Sequence, residues 1–299
     1  MEEWLTDKRI GAQTGWLLAL GLIVIILVAI GVAGSQPIGP LTFCMVLVIV
    51  MALPAIGLIA YQLFGLARSS YSLDRNMLTI NWGPIRQVVP TDAIQRILLG
   101  AEITGAPQRF RGWRWPGLMH GQADVPDVGL TLFYAPASLQ RQLIVITPTV
   151  AYAIAPADPA GFIDSIKARY ELGPTQAVMQ TTQHPPLFDW PLWRDRLAQS
   201  FGAIALALAL SLLAFVCFRF PDLPARLPLH YSVEGLADRV GPASEVFILP
   251  LIGLLALLVN VMFGAVAYPR ERMAAYVVWG GTLLVLLLLW VSAIHLLRG

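Results

Sequence analysis

The chain has 299 residues, 57% of them hydrophobic and 13% charged, with a net charge of +2 and a mean hydropathy of +0.68. A soluble domain carries about 25% charged residues, so a larger soluble core does not explain the deficit and lipid must solvate part of the chain. The near-neutral balance offers nucleic acid little attraction. Cys44 and Cys217 lie in separate apolar runs, without the paired spacing of a zinc site or a disulfide framework.

Crossing the hydrocarbon core as a helix takes about 20 mostly apolar residues. Five runs meet this, at residues 14–34, 41–66, 197–218, 246–268 and 273–297, and none has an ionised side chain in its interior. The first run is read as an uncleaved anchor. It is longer than the apolar core of a signal peptide, and Glu2, Glu3 and Asp7 dilute its basic flank. Residues 1–66 are therefore expected to form a transmembrane hairpin. Orientation follows from Arg and Lys near the span ends. With the N-terminus cytoplasmic, Lys8, Arg9, Arg68, Arg75, Arg194, Arg196, Arg270 and Arg272 lie inside, against Arg219, Arg226, Arg239 and Arg298 outside.

Between residues 69 and 173 the pattern changes to short strands. Leu78, Ile80 and Trp82 alternate, the Gly83-Pro84 turn follows, and residues 128–134 and 143–146 read as further strands. Asp158 then precedes Pro159 as an N-cap would, and Phe162, Ile163, Ile166 and Tyr170 share one helical face. The expectation is a small β domain closed by an amphipathic helix. Residues 174–196 read as a polar linker followed by an interfacial segment holding Trp190, Trp193, Arg194 and Arg196. Residues 197–299 form a three-helix membrane domain with an external loop at 219–245. The fold class expected is thus an α-helical membrane protein with an inserted α+β cytoplasmic domain.

Two family resemblances emerge. Tyr71-Ser-Leu-Asp-Arg-Asn-Met-Leu-Thr-Ile-Asn-Trp-Gly83 and Val89-Pro-Thr-Asp-Ala-Ile-Gln-Arg-Ile97 resemble the opening of a bacterial pleckstrin-homology-like (PH-like) domain. Arg114-Trp-Pro-Gly-Leu-Met-His-Gly121 and Ala155-Pro-Ala-Asp-Pro-Ala-Gly-Phe162 resemble its later landmarks. Leu223-Pro-Ala-Arg-Leu-Pro-Leu-His-Tyr-Ser-Val-Glu-Gly-Leu-Ala-Asp-Arg239 resembles the signature of a small membrane domain of unknown function. That domain also opens the immunity proteins that protect bacteria from the Sdp killing factor. The resemblances imply a prokaryotic membrane origin and a part in sensing or immunity, and they imply no catalysis.

The candidate recognition loop holds Pro228, His230, Tyr231, Glu234, Gly235 and Asp238. His230, Glu234 and Asp238 would align as metal ligands on a helix, but Gly235 and Pro228 oppose one, so a turn held by side-chain hydrogen bonds is expected and no metal. Arg109, Arg111, Trp113, Arg114 and Trp115 interleave cations with aromatics, a mixture that suits the lipid headgroup layer; the alternative is packing of the tryptophans on the barrel or the spans. Gln62, Asn260 and His295 are the more polar residues of the spans, and the absence of intramembrane Asp, Glu, Lys or Arg argues against a transporter. Ala203, Ala207 and Ser211, at steps of four, would let another helix approach. No catalytic constellation emerges, and no cofactor is expected. The reading is a non-catalytic protein coupling a cytoplasmic PH-like module to an external recognition loop in signalling, envelope stress or toxin immunity. Its partners are membrane lipid and another membrane protein or peptide ligand. The alternatives are a scaffold subunit of a larger membrane complex and a lipid-acting enzyme.

Overall fold

The structure, a computed structural model, describes residues 2–231 and 237–298, with the backbone alone for residues 187, 228–231, 237–239 and 298. Its contacts divide the chain into two compact units, residues 1–24 with 52–188 and residues 25–51 with 189–299. Five helices are long and apolar enough to cross a membrane: Arg9–Ser35, Pro40–Ala67, Arg196–Asp222, Ala243–Ala267 and Arg272–Leu297. Each contains one of the runs expected from hydropathy, give or take a residue or two at the ends.

The first unit opens with a three-residue strand, β1 (Glu2–Trp4), before helices α1 (Arg9–Ser35) and α2 (Pro40–Ala67). Along α1, Trp16, Leu17, Leu20, Leu27 and Val28 are each more than half exposed. In water so broad an apolar surface would drive association; lipid is its fitting solvent. Strands β2 (Ser70–Leu73), β3 (Met77–Trp82) and β4 (Ile85–Pro90) form an antiparallel meander. Next come β5 (Arg96–Leu99), β6 (Gln108–Trp115), β7 (Leu118–Val125), β8 (Gly129–Ala135), β9 (Leu143–Ile146) and β10 (Ala151–Ile154). Helix α3 (Pro159–Leu172) and strand β11 (Thr181–Gln183) complete the unit.

The strands make two sheets, ordered β1-β2-β3-β4-β11 and β5-β9-β10-β8-β7-β6. Between them lies a core that includes Tyr71, Leu78, Ile80, Trp82, Leu118, Tyr134, Val145, Tyr152, Phe162 and Ile166. The second sheet also buries its other face, where Met119, Ala123, Phe133, Ile144 and Ala153 collect with Phe110. This two-sided burial explains why β9 and β10 read as continuous apolar runs with little alternation. The Tyr71 hydroxyl crosses from sheet to sheet, donating to Tyr134 O at 2.6 Å and accepting from Ala155 N at 3.0 Å. Burial raises its pKa well above that of an ordinary phenol.

Three features depart from the sequence reading. The segment read as linker carries β11, which pairs with β4 from Thr181↔Val88 to Gln183↔Arg86. The segment before the first span carries β1, paired with β2 from Glu2↔Leu73 to Trp4↔Tyr71. Asp158 does cap α3, accepting from Gly161 N at 3.0 Å, and Phe162 and Ile166 are buried, but Tyr170 is 62% exposed. The last turn of α3 has left the barrel before Gly173, at φ 65°, ends the helix.

In the second unit, α4 (Arg196–Arg219) leads to a hairpin of β12 (Arg226–Tyr231) and β13 (Ala237–Pro242), then to α5 (Ile248–Ala267) and α6 (Arg272–Arg298). The packed face of α4 is Ala198, Ala205, Ala209, Leu212 and Val216, whereas Ala203, Ala207 and Ser211 are exposed. Within this unit, then, the expected small-residue stripe is not the seam.

Phe162 meets the Trp4 ring edge-on, with centroids 5.5 Å apart and planes at 86°. Phe162→Ala in the full chain should cost about 3–5 kcal/mol, while Tyr170→Ala should stay within about 0.5 kcal/mol. Chemical unfolding in detergent, followed by near-ultraviolet circular dichroism, measures both.

Candidate functional site

Where α1 begins and α2 ends, both helices are fastened to the barrel. Gly11, in the first turn of α1, meets Gly117 in the β6–β7 turn so closely that a Cβ on Gly11 would lie 2.2 Å from Gly117 O. Gly117 itself sits at φ +79°, where a side chain is strained. Trp115 Nε1 donates to Gly11 O at 3.1 Å. At the end of α2, a Cβ on Gly65 would lie 2.4 Å from Trp82 Nε1, so the indole rests on bare helix backbone. Lys8 Nζ donates to Ala67 O at 2.8 Å, capping the carbonyl end of α2 with a cation. Thr6 and Ser69 hydroxyls meet at 3.0 Å beside it.

Between α2 and the barrel lies a buried line of polar groups. His120 Nδ1 is 2.8 Å from Gln62 Oε1; an amide oxygen only accepts, so Nδ1 carries the proton. The imidazole stacks on Trp82 at 4.9 Å and 25° and sits 5.5 Å from the Tyr134 ring. Tyr134 Oη accepts from Gln87 Nε2 at 2.9 Å, and Gln87 Oε1 accepts from Thr182 Oγ1, on β11, at 2.7 Å. Gln62 and Gln87 are each 2% exposed. Such buried polar groups are costly unless bonded, so this line fixes how α2 meets the barrel. Burial pushes the His120 pKa down to about 4, and the ring is neutral at pH 7.

The Arg- and Trp-rich segment is β6, an edge strand of the second sheet. Arg109, Arg111, Trp113 and Arg114 are exposed, with Arg109 at φ 51° beside a bulge. Trp115 follows the packing alternative: it is half-buried against the core and bonded to α1. Its bond to Gly11 fixes the end of this strand at the first turn of a candidate span.

In the second unit, Pro228, His230, Tyr231 and Asp238 lie on the two strands of the hairpin, and Glu234 and Gly235 lie outside the described residues. The backbone pairs His230 with Arg239 and Tyr231 with Ala237, with register shifts on either side of His230. His230 and Asp238 lie on paired strands, so their spacing of eight has no helical meaning here. The base of the hairpin is anchored: Leu227, Ala243 and Val246 pack with Val216 and Leu297. Arg219 donates to Leu297 O at 3.1 Å, capping the last turn of α6. A hollow of about 510 Å³ opens beside this base, lined by Pro37, Ile38, Phe220, Leu223 and Pro242 among others. At the other end of α4, Asp195 caps the helix by accepting from Leu197 N and Ala198 N, and it also accepts from the Tyr268 hydroxyl at 2.5 Å and from that of Tyr276. These bonds hold its carboxyl down at about 2. Asn260 Nδ2 donates to Thr282 Oγ1 at 3.0 Å between α5 and α6.

Comparison with known proteins follows the same partition. Residues 69–170 match the family model of the bacterial PH domain, and residues 206–254 match that of a domain of unknown function (DUF1648). The protein is thus a membrane-type chain that joins a PH-like domain to a DUF1648 domain. No curated protein matches it, nor does any solved structure.

Gly11 and Gly65 had no individual signal in the sequence, because a glycine near a span end has many uses. Gln62 stood out only as a polar residue within a span, and His120 lay inside the Arg114–Gly121 landmark. Because its pKa is depressed from 6.5 to about 4, the folded state binds fewer protons than the unfolded state in that window, and the stability present above pH 6.5 is lost as pH falls towards 4. Unfolding at pH 7 and pH 4.5 should differ by about 2–3 kcal/mol from this group, and His120→Gln should remove that part of the pH dependence.

Proposed function

We propose that this is a non-catalytic, multi-pass prokaryotic plasma-membrane protein in which a cytoplasmic PH-like barrel is coupled through α1 and α2 to the membrane, with an external recognition loop on the DUF1648 segment, serving signalling, envelope stress or toxin immunity. The double fastening of the barrel to both helix ends carries the reading. A module on a flexible tether would leave the membrane helices indifferent to what it binds. Here the β6–β7 turn touches Gly11 and Trp82 touches Gly65, so a shift of either reaches a helix without an intervening linker.

The β1–β2 pairing supports a hairpin whose two ends share one side. β1 precedes the first span and β2 follows the second, and the two can pair only when both ends of the hairpin emerge on one side. With Arg194 and Arg196 among the inside flanks, α4 as a span would carry the 219–245 loop to the other side. The arginine bias assigns the barrel side to the cytoplasm. Because Arg219 serves as a helix cap, one of the outer arginines counted against this orientation has a structural reason to be there.

With Cys44 and Cys217 replaced by Ser, Ser232→Cys should react with an impermeant thiol reagent in intact cells, and Ser138→Cys only after permeabilisation. The opposite pattern would invert the topology. His230→Ala and Asp238→Ala should abolish the biological phenotype at unchanged protein abundance; parallel loss of both would make the loop a structural brace.

A further inference from the structure

β6 is the outermost strand of the second sheet. It pairs with β7 along one edge, and among the described residues its backbone bonds to no other element. Pairing is regular from Arg111↔Gln122 to Trp115↔Leu118, and the bulge before Arg111 ends that stretch. The other edge therefore presents a row of main-chain amides and carbonyls. Along it stand Arg109, Arg111 and Arg114, all exposed. Among the described residues none of the three guanidiniums has a hydrogen-bond or ion-pair partner. Alternation places Arg111 and the exposed Trp113 on one face of the sheet and Arg114 on the other. The opposite edge of the same sheet is β5, a strand of four residues with one arginine, Arg96.

We propose that the free edge of β6 docks an acidic polypeptide segment of a partner protein, which joins the sheet as a further strand. The inference rests on the reading of the barrel as a binding module, and it names the docking edge and the partner's chemistry. Strand addition satisfies main-chain groups in series, and arginine and tryptophan are the side chains that most often anchor protein interfaces. A lipid headgroup neutralises an arginine but has no row of amides to pair with the strand. A second copy of β6 would set arginines against arginines across the new pair, which is repulsive. The same cations discourage uncharged strands, so the edge is selective. Neighbouring residues of an added strand point to opposite faces, so consecutive acidic residues are needed to reach both Arg111 and Arg114. Asp124, opposite Gln108 on β7, puts a negative charge at the far end, so the acidic run belongs over residues 109–114.

The test follows the fluorescence anisotropy of labelled peptides added to the full chain in a neutral detergent at low salt. The probe peptide has pairs of glutamate separated by single valines. One control replaces every glutamate with glutamine, and the other methylates consecutive backbone nitrogens. The glutamate peptide should bind about tenfold more tightly than either control. Arg111→Gln with Arg114→Gln should weaken it by about tenfold, with an unchanged near-ultraviolet circular dichroism spectrum. Arg96→Gln, on β5, should change it by less than about twofold. No binding of the glutamate peptide, equal binding of the glutamine peptide, or full binding by the double variant overturns the proposal and leaves the arginines as a guard on the edge. Full binding of the methylated peptide also overturns it, because charge would then act without strand addition. Displacement by submicellar dihexanoyl phosphatidylglycerol, but not by dihexanoyl phosphatidylcholine, overturns it in favour of a lipid surface. The thiol labelling described above keeps the two readings apart. A chain with a protected barrel that ignores the peptide loses the docking edge alone, whereas a barrel labelled in intact cells loses the cytoplasmic reading itself.

Discussion

Gly11 and Gly117 approach so closely that neither could carry a methyl group without displacing backbone, and this contact sets how a candidate membrane helix stands on the barrel. A side chain at either position would push α1 off the β6–β7 turn and break the Trp115 bond to Gly11 O. Gly65 and Trp82 repeat the arrangement for α2. Close packing of this kind resists small displacements because a filled interior has no slack. Two helices fixed at their ends to one small barrel form a base more rigid than either helix could make alone.

The polar line from Thr182 through Gln87 and Tyr134, with the His120–Gln62 bond beyond it, adds direction to that rigidity. Apolar contacts tolerate rotation, whereas hydrogen bonds between buried amides and rings do not. Gln62, which hydropathy alone would call an imperfection in an apolar run, orients its helix.

Much of the fold was legible. Long apolar runs identify candidate spans because a helix in lipid has to satisfy only length and composition, and Asp158-Pro159 announced α3 by cap chemistry. Which face of α4 packs was not legible: in lipid there is no polar side for hydropathy to mark, so Ala203-Ala207-Ser211 and Ala198-Ala205-Ala209 look alike. β1 and β11 are three residues each, partly or wholly polar, and acquire their identity from partners about 70 and 95 positions away in the register with Leu73 and Val88. The β12–β13 hairpin was hidden by Pro228 and by its register shifts, which disrupt the alternation that reveals a strand. Among the site residues, exposure of Arg109, Arg111, Trp113 and Arg114 agreed with composition; the inward turn of Trp115 depended on a neighbour, Gly11, far back in the chain.

The pairing of β1 with β2 also sets a schedule for making the protein. Residues 2–4 leave the ribosome before α1 and α2, yet their partner strand is not synthesised until both helices of the hairpin have been made. During that interval Trp4 has no Phe162 to meet, and the N-terminal segment must wait, unpaired, on the side where the barrel will form. If α1 and α2 span a membrane, insertion of only one of them would leave β1 across the bilayer from β2, and the first sheet would close one strand short. Correct insertion is thereby written into the barrel's own completion, and quality control that recognises exposed strand edges would detect a topological error as a folding error.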